Sequence, residues 1–164
     1  MEINKKINDA FNKQIKDEYF SSYLYLSMAA YFDDLNLSGF ANWMKIQAGE
    51  EFKHVMKFYK HITERNGRVE FEQIDKPKTS WNSPSEAFED AYKHEQKITS
   101  LIHDLVKLTR DEKDYAGEVF LHWFVDEQIE EEEQTRAILD NLKFIGDSKQ
   151  GLLMIDRELS KREE

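Results

Sequence analysis

The chain has 164 residues, a net charge of −10 and no cysteine. Those facts exclude disulfides, zinc–thiolate sites, iron–sulfur clusters and thiol nucleophiles, and they disfavour binding to nucleic acid or anionic membrane surfaces. Hydrophobic residues make up 40% of the chain and aromatics 13%, enough for one domain with a core, while two prolines and six glycines leave long stretches free of helix breakers.

Apolar residues recur at helical spacing through four long segments. The first runs from about Asn4 to Asp33. Its inward stripe reads Ile7, Phe11, Ile15, Ser22, Tyr25, Ala29 and Phe32, and Glu18 falls on that stripe. Phe20, Tyr23, Leu24 and Tyr31 point away from it, so the segment is apolar nearly all round, which predicts burial against another subunit. The second segment starts after "NLSG", with Ser38 as the expected N-cap, and stops at Asn66-Gly67. Met44, Ala48, Val55, Phe58 and Ile62 form its stripe; Glu51 completes the series and His54 follows one turn on.

Arg68 to Ser83 holds both prolines and breaks the helical pattern. Such a stretch spans roughly 50 Å when extended, more than the roughly 40 Å of the preceding helix. It is long enough to cross the whole bundle and set the second and third helices parallel, the ferritin-like topology.

The third helix begins at Ser83-Pro84, a cap followed by a first-turn proline, and fades around "TRDEKD". Glu95 interrupts its stripe of Phe88, Ala91, Ile98, Ile102 and Leu105. The fourth covers Tyr115 to Ile145, ends at Gly146, and carries Gln128 and Glu131 on the side of Phe120, Phe124, Thr135, Ile138 and Leu142. A short amphipathic helix, about 148–162, closes the chain. The expectation is an all-α, four-helix bundle over about 4–145, within a single domain spanning 1–164.

Each core stripe is thus interrupted near its middle by a carboxylate. Counted from the turns, Glu18 and Glu51 fall at similar heights, as do Glu95 and Glu131. Four buried carboxylates at one level either share protons or surround cations. Oxygen-rich ligands with one imidazole suit iron or manganese, and the Glu51/His54 spacing points both at one metal. On this pattern a dinuclear site is expected. A di-iron or di-manganese oxidase and a helical interaction module with proton-sharing acids stay open beside metal storage.

The motifs "EYFSSYLYLSMAAYF", "QAGEEFKH", "KHEQKIT", "FLHWFVDEQIEEE" and "GLLMIDRELS" resemble those of bacterial non-haem ferritins over nearly the whole chain. The resemblance implies iron storage with ferroxidase activity: oxidation of Fe(II) to Fe(III) by O₂ or peroxide, and a ferric mineral inside a cytoplasmic shell of 24 identical subunits. Glu18, Glu51 and His54 would ligate one iron and Glu51, Glu95 and Glu131 the other, with Gln128 close by. A third iron would be held by Glu50, Glu127, Glu130 and the shared Glu131. At 100° per residue Glu127 lies about 40° and Glu130 about 100° from Glu131, a seam that also fits a solvated face.

The resemblance places Tyr25 beside the dinuclear centre and makes Trp123 a candidate electron donor, although packing alone explains most such aromatics. Haem-binding relatives carry a second ExxH on the fourth helix and a methionine after the bridging Glu. Here "EQIEEE" and Phe52 stand in those places, so no haem is expected. The absence of a transmembrane-length apolar run predicts no membrane partner. His61, His94, His103 and His122 are read as surface or interface residues.

Overall fold

In the computed structural model, which describes residues 1–163, five helices follow in chain order: α1 (Lys5–Asp34), α2 (Ser38–Glu64), α3 (Pro84–Asp111), α4 (Tyr115–Ile145) and α5 (Lys149–Leu159). Glu164, the last position of the expected domain, lies outside the described residues. Local chemistry explains most of the boundaries. The Asn4 side chain accepts from Ile7 N, Ser83 accepts from Glu86 N ahead of a first-turn Pro84, and Ser148 accepts from Gly151 N. Ser38 is not the cap it was expected to be. It is the first helical residue of α2, preceded by Leu37, and no side chain on that flank caps the helix. At the far end of α2 it is Asn66, not Gly67, that adopts the left-handed conformation, with φ 56°. Gly67 is required for a different reason, since a Cβ there would collide with Asn8, Ile3 and Ile62.

α1 packs chiefly on α2, and α3 on α4. Phe32 meets Phe88 toward one end of the bundle, Ser21 meets His94 in the middle, and Ile7 and Phe11 share the far cluster with Ile102 and Leu105. α1 and α3 are therefore antiparallel. Because α1 and α2 form a hairpin, α2 and α3 run the same way and need the long crossover.

That crossover lies along α1. Asn12 Nδ2 donates to Arg68 O at 2.9 Å and Asn12 Oδ1 accepts from Glu70 N at 3.0 Å, while Ser27 Oγ donates to Lys78 O at 2.6 Å farther along the helix. Phe71 packs on Tyr19, and Trp81 on Tyr31. Part of the second apolar side of α1 is therefore covered by its own chain rather than by a neighbour. Leu24, expected to point away from the core, is buried within it. Tyr23 and Leu26 remain exposed on α1, as do Phe52, Met56 and Tyr59 on α2.

The core divides into two apolar clusters. One gathers Tyr25, Phe32, Phe40, Met44, Phe88 and Leu142; the other gathers Phe11, Phe58, Ile102, Leu121 and Phe124. Between them, at mid-height, lies a layer of buried polar side chains. Among the described residues no helix is long and apolar enough to cross a membrane.

Candidate metal centre

Each of the four long helices sends one glutamate into this middle layer, and Glu18, Glu51, Glu95 and Glu131 are all buried. They get there by phase. Glu18 follows Ile15 by one turn, Glu51 precedes Val55, Glu95 lies between Ala91 and Ile98, and Glu131 precedes Thr135. Each is thus a stripe position that happens to be ionisable.

The ligand atoms converge in three overlapping groups: Glu18, Glu51 and His54; Glu51, Glu95 and Glu131; and His54, Glu127 and Glu131. His54 Nδ1 stands 3.5 Å from Glu18 Oε2 and 3.3 Å from Glu51 Oε2, and its Nε2 faces Glu127 at 3.8 Å and Glu131 at 3.9 Å.

Among the described residues, three buried atoms here have no hydrogen-bond partner: Glu18 Oε2, His54 Nδ1 and Glu131 Oε2. An unpartnered buried polar atom costs roughly 1–3 kcal/mol. Three orphaned atoms inside overlapping groups of candidate ligands are what divalent cations placed between them would satisfy. Four carboxylates and one imidazole form a hard, oxygen-rich donor set that suits iron or manganese.

The remaining lone pairs are served by donors around the layer. Gln14 Nε2 donates to Glu18 Oε1 at 2.8 Å, and Gln47 Nε2 donates to Glu51 Oε1 at 3.1 Å and Glu131 Oε1 at 3.0 Å. The Tyr25 hydroxyl donates to Glu95 Oε1, and Gln128 Nε2 lies 3.3 Å from Glu95 Oε2 and from Thr99 Oγ1. Neither Gln14 nor Gln47 was singled out in the sequence, although each sits four residues before a ligand glutamate on the same helix face.

The electrostatics follow from crowding. Burial, reinforced by Glu95, pushes the Glu51 carboxyl up to about 8, and burial with Glu51 and Glu95 pushes Glu131 well above the carboxylate range. Burial and the same carboxylates hold the Tyr25 phenol well above its ordinary value, so it remains a donor. Burial alone would lower His54, but Glu127, Glu18 and Glu51 overcome it and raise it well above the ordinary imidazole value. The metal-free centre thus retains protons that cations would displace.

The other expected residues are less closely gathered. Glu127 is half-buried and reaches His54. Glu50 is tied to Arg162 at 2.5 Å, and the exposed Glu130 accepts from Gln134; neither belongs to a convergent ligand group among the described residues. Trp123 packs on His54 with ring centroids 5.4 Å apart and carries Lys57 over its outer face. His94, expected at the surface or at an interface, is buried inside the bundle, with Nε2 2.7 Å from Ser21 Oγ. One residue off the Glu95 stripe, it fills the seam between α1 and α3.

Known proteins share this fold. The family profile of the ferritin-like domain matches residues 8–145. The chain is 41% identical over 160 residues to the bacterial non-heme ferritin of Bacteroides fragilis strain 638R, covering 98% of this chain and 99% of that protein. It is 40% identical to the counterpart in Staphylococcus haemolyticus, covering 98% and 96%. Among solved structures, the novel open pore ferritin of the hyperthermophilic archaeon Archaeoglobus fulgidus superposes with a TM-score of 0.97 at 46% identity, covering 98% of this chain and 99% of that one. A closed form of that ferritin, engineered by site-directed mutagenesis, gives the same TM-score and identity.

Proposed function

This chain belongs to the ferritin family, and on that premise we propose that it stores iron and oxidises Fe(II) to Fe(III) at the four-helix centre. The observation that carries this reading is the convergence of Glu18, Glu51, His54, Glu95 and Glu131 into overlapping ligand groups with three orphaned ligand atoms. Iron is here both substrate and cargo. Two Fe(II) ions lose one electron each, and O₂ takes the pair with two protons to become hydrogen peroxide, or hydrogen peroxide takes the pair with two protons to become two waters.

The protein's contribution is placement and charge. Carboxylates from four helices hold the two ions within one buried layer, with Glu51 shared between the groups on either side. Anionic oxygen ligands favour Fe(III) over Fe(II), so the centre assists the oxidation it hosts. Gln14, Gln47, Tyr25 and Gln128 hold the carboxylates in orientation by hydrogen bonds. Glu127 beside His54 and Glu131 forms a shallower group toward solvent, from which a third ion would lead outward; Glu50 and Glu130 complete it in this proposal. The product collects as mineral inside a closed 24-subunit shell, a proposal supported by family membership and by the exposed Tyr23, Leu26, Phe52, Met56 and Tyr59.

Aerobic loading with Fe(II), followed by size exclusion and iron analysis, tests the whole reading. The expected result is a particle near 24 times the 19.6 kDa chain mass, carrying far more iron than the centre itself holds. One or two irons per chain in a small oligomer would refute storage.

A further inference from the structure

α5 has no buried residue of its own, yet it is seated firmly on α2. Asp156 Oδ1 accepts from Gly39 N at 2.8 Å and Phe40 N at 3.0 Å, supplying from another helix the cap that the start of α2 lacks. Residue 39 must be glycine for this, because a Cβ there would run into the Asp156 carbonyl. The seat aims the chain beyond Leu159 along α2. Asn42 Nδ2 donates to the Arg162 carbonyl at 3.1 Å.

The Arg162 side chain then lies along positions 43, 47 and 50, one face of α2. Its guanidinium carbon sits 4.5 Å from the Trp43 ring, and Nη1 donates to the Trp43 carbonyl at 3.3 Å. Nη2 donates to Gln47 Oε1 at 3.0 Å and to Glu50 Oε2 at 2.5 Å. Gln47 is 2% exposed, and its amide nitrogen faces away from Arg162, onto Glu51 and Glu131. A guanidinium only donates, and the two carboxylates only accept once cations have displaced their protons. Gln47 therefore has one orientation that satisfies both sides, and Arg162 enforces it from outside the bundle.

We propose that Arg162 is a positioning residue for the metal centre: through the Gln47 amide, the C-terminal segment orients Glu51 and Glu131, the two carboxylates shared between ligand groups. The proposal deepens the dinuclear reading above and presupposes it. Its expected size is that of outer partners of metal ligands, whose loss costs about 10–100-fold in affinity.

Anaerobic titration of the metal-free, assembled full chain with Co²⁺, read by its visible absorption, tests this without any oxidation step. Arg162→Ala and Gln47→Leu should each weaken Co²⁺ binding about 10-fold or more, and the double variant should lose no more than the larger single loss. Lys161→Ala, which removes the neighbouring cation, paired with Glu158, but leaves the Arg162–Gln47 bond, should keep wild-type affinity. Arg162→Lys, with one nitrogen still able to reach Gln47, should recover part of the loss. If Arg162→Ala does not assemble, Arg162→Lys against Gln47→Leu gives the same comparison. Wild-type affinity in Arg162→Ala, additive losses in the double variant, or a loss reproduced by Lys161→Ala would overturn the proposal. A wild-type chain that binds no Co²⁺ would instead overturn the dinuclear reading itself.

Discussion

His54 Nδ1 stands 3.3 Å from Glu51 Oε2, one turn along the same helix, and among the described residues no hydrogen-bond partner reaches that nitrogen. The spacing puts both side chains on one face of α2, and burial removes the water that would otherwise serve the imidazole. Glu51 also belongs to the group formed with Glu95 and Glu131, so the pair joins the two halves of the centre. Glu51→Ala combined with His54→Ala should therefore lower the initial rate of Fe(II) oxidation by more than about 100-fold, beyond the 10–100-fold of outer partners. Size exclusion should still show the assembled particle. Stopped-flow absorbance measures the rate; fast oxidation in an intact double variant would disprove the assignment.

Glu18 Oε1 accepts from Gln14 Nε2 at 2.8 Å, within α1, and among the described residues its other oxygen has no partner. Gln14→Leu keeps the shape near the core but leaves Glu18 Oε1 unsupported. Cation affinity should fall about 10-fold while the helical fold stays intact, the behaviour of an outer partner. Calorimetric titration with Co²⁺ and circular dichroism on the same samples would show this, and unchanged affinity would assign Gln14 to packing alone.

The convergence of four buried glutamates was legible because an acid on an apolar stripe breaks a simple pattern, and four such breaks at one height reinforce one another. The topology was legible because a proline-bearing stretch of that length is too long for a hairpin. Gln14 and Gln47 went unread because glutamine on a helix raises no alarm by itself; their positions four residues before Glu18 and Glu51 were the available signal. His94 and Leu24 were misplaced for a common reason. Each lies about 100° from a stripe residue, Glu95 or Tyr25, and a bundle buries more of a helix than its central line. The contact of Arg162 with Gln47 joins residues 115 positions apart, and no local pattern encodes it.

Away from the centre, Arg65 and Asp114 form a buried ion pair at 2.7 Å, doubled by a second hydrogen bond at 2.8 Å, which ties the end of α2 to the α3–α4 turn. Asp114→Ala would leave a buried guanidinium without its counter-charge, at a cost of about 3–5 kcal/mol. Replacing both residues, as Arg65→Met with Asp114→Leu, should restore much of that stability. Urea denaturation of the three proteins is the measurement. A double variant no more stable than Asp114→Ala would show that the pair's desolvation is not what the single change exposes.

Protons compete with cations at the centre, and this sets a pH dependence opposite to that of ordinary surface carboxylates. The folded, metal-free protein holds a proton on Glu51 up to about pH 8, whereas the unfolded chain releases it near the ordinary value of 4.5. Between those values the folded state binds more protons, so stability falls as pH rises. Glu131 acts in the same direction, and so does His54, whose folded value lies well above 6.5. A divalent cation takes the place of these protons, so its stabilising effect should grow with pH across the same window. Thermal unfolding between about pH 5 and pH 8, with and without Co²⁺, should show a falling metal-free midpoint and a widening gap between the two curves. Glu51→Gln, which cannot ionise, should flatten the metal-free curve. A metal-free midpoint that rises with pH, or a slope unchanged in Glu51→Gln, would mean that the middle layer does not hold these protons.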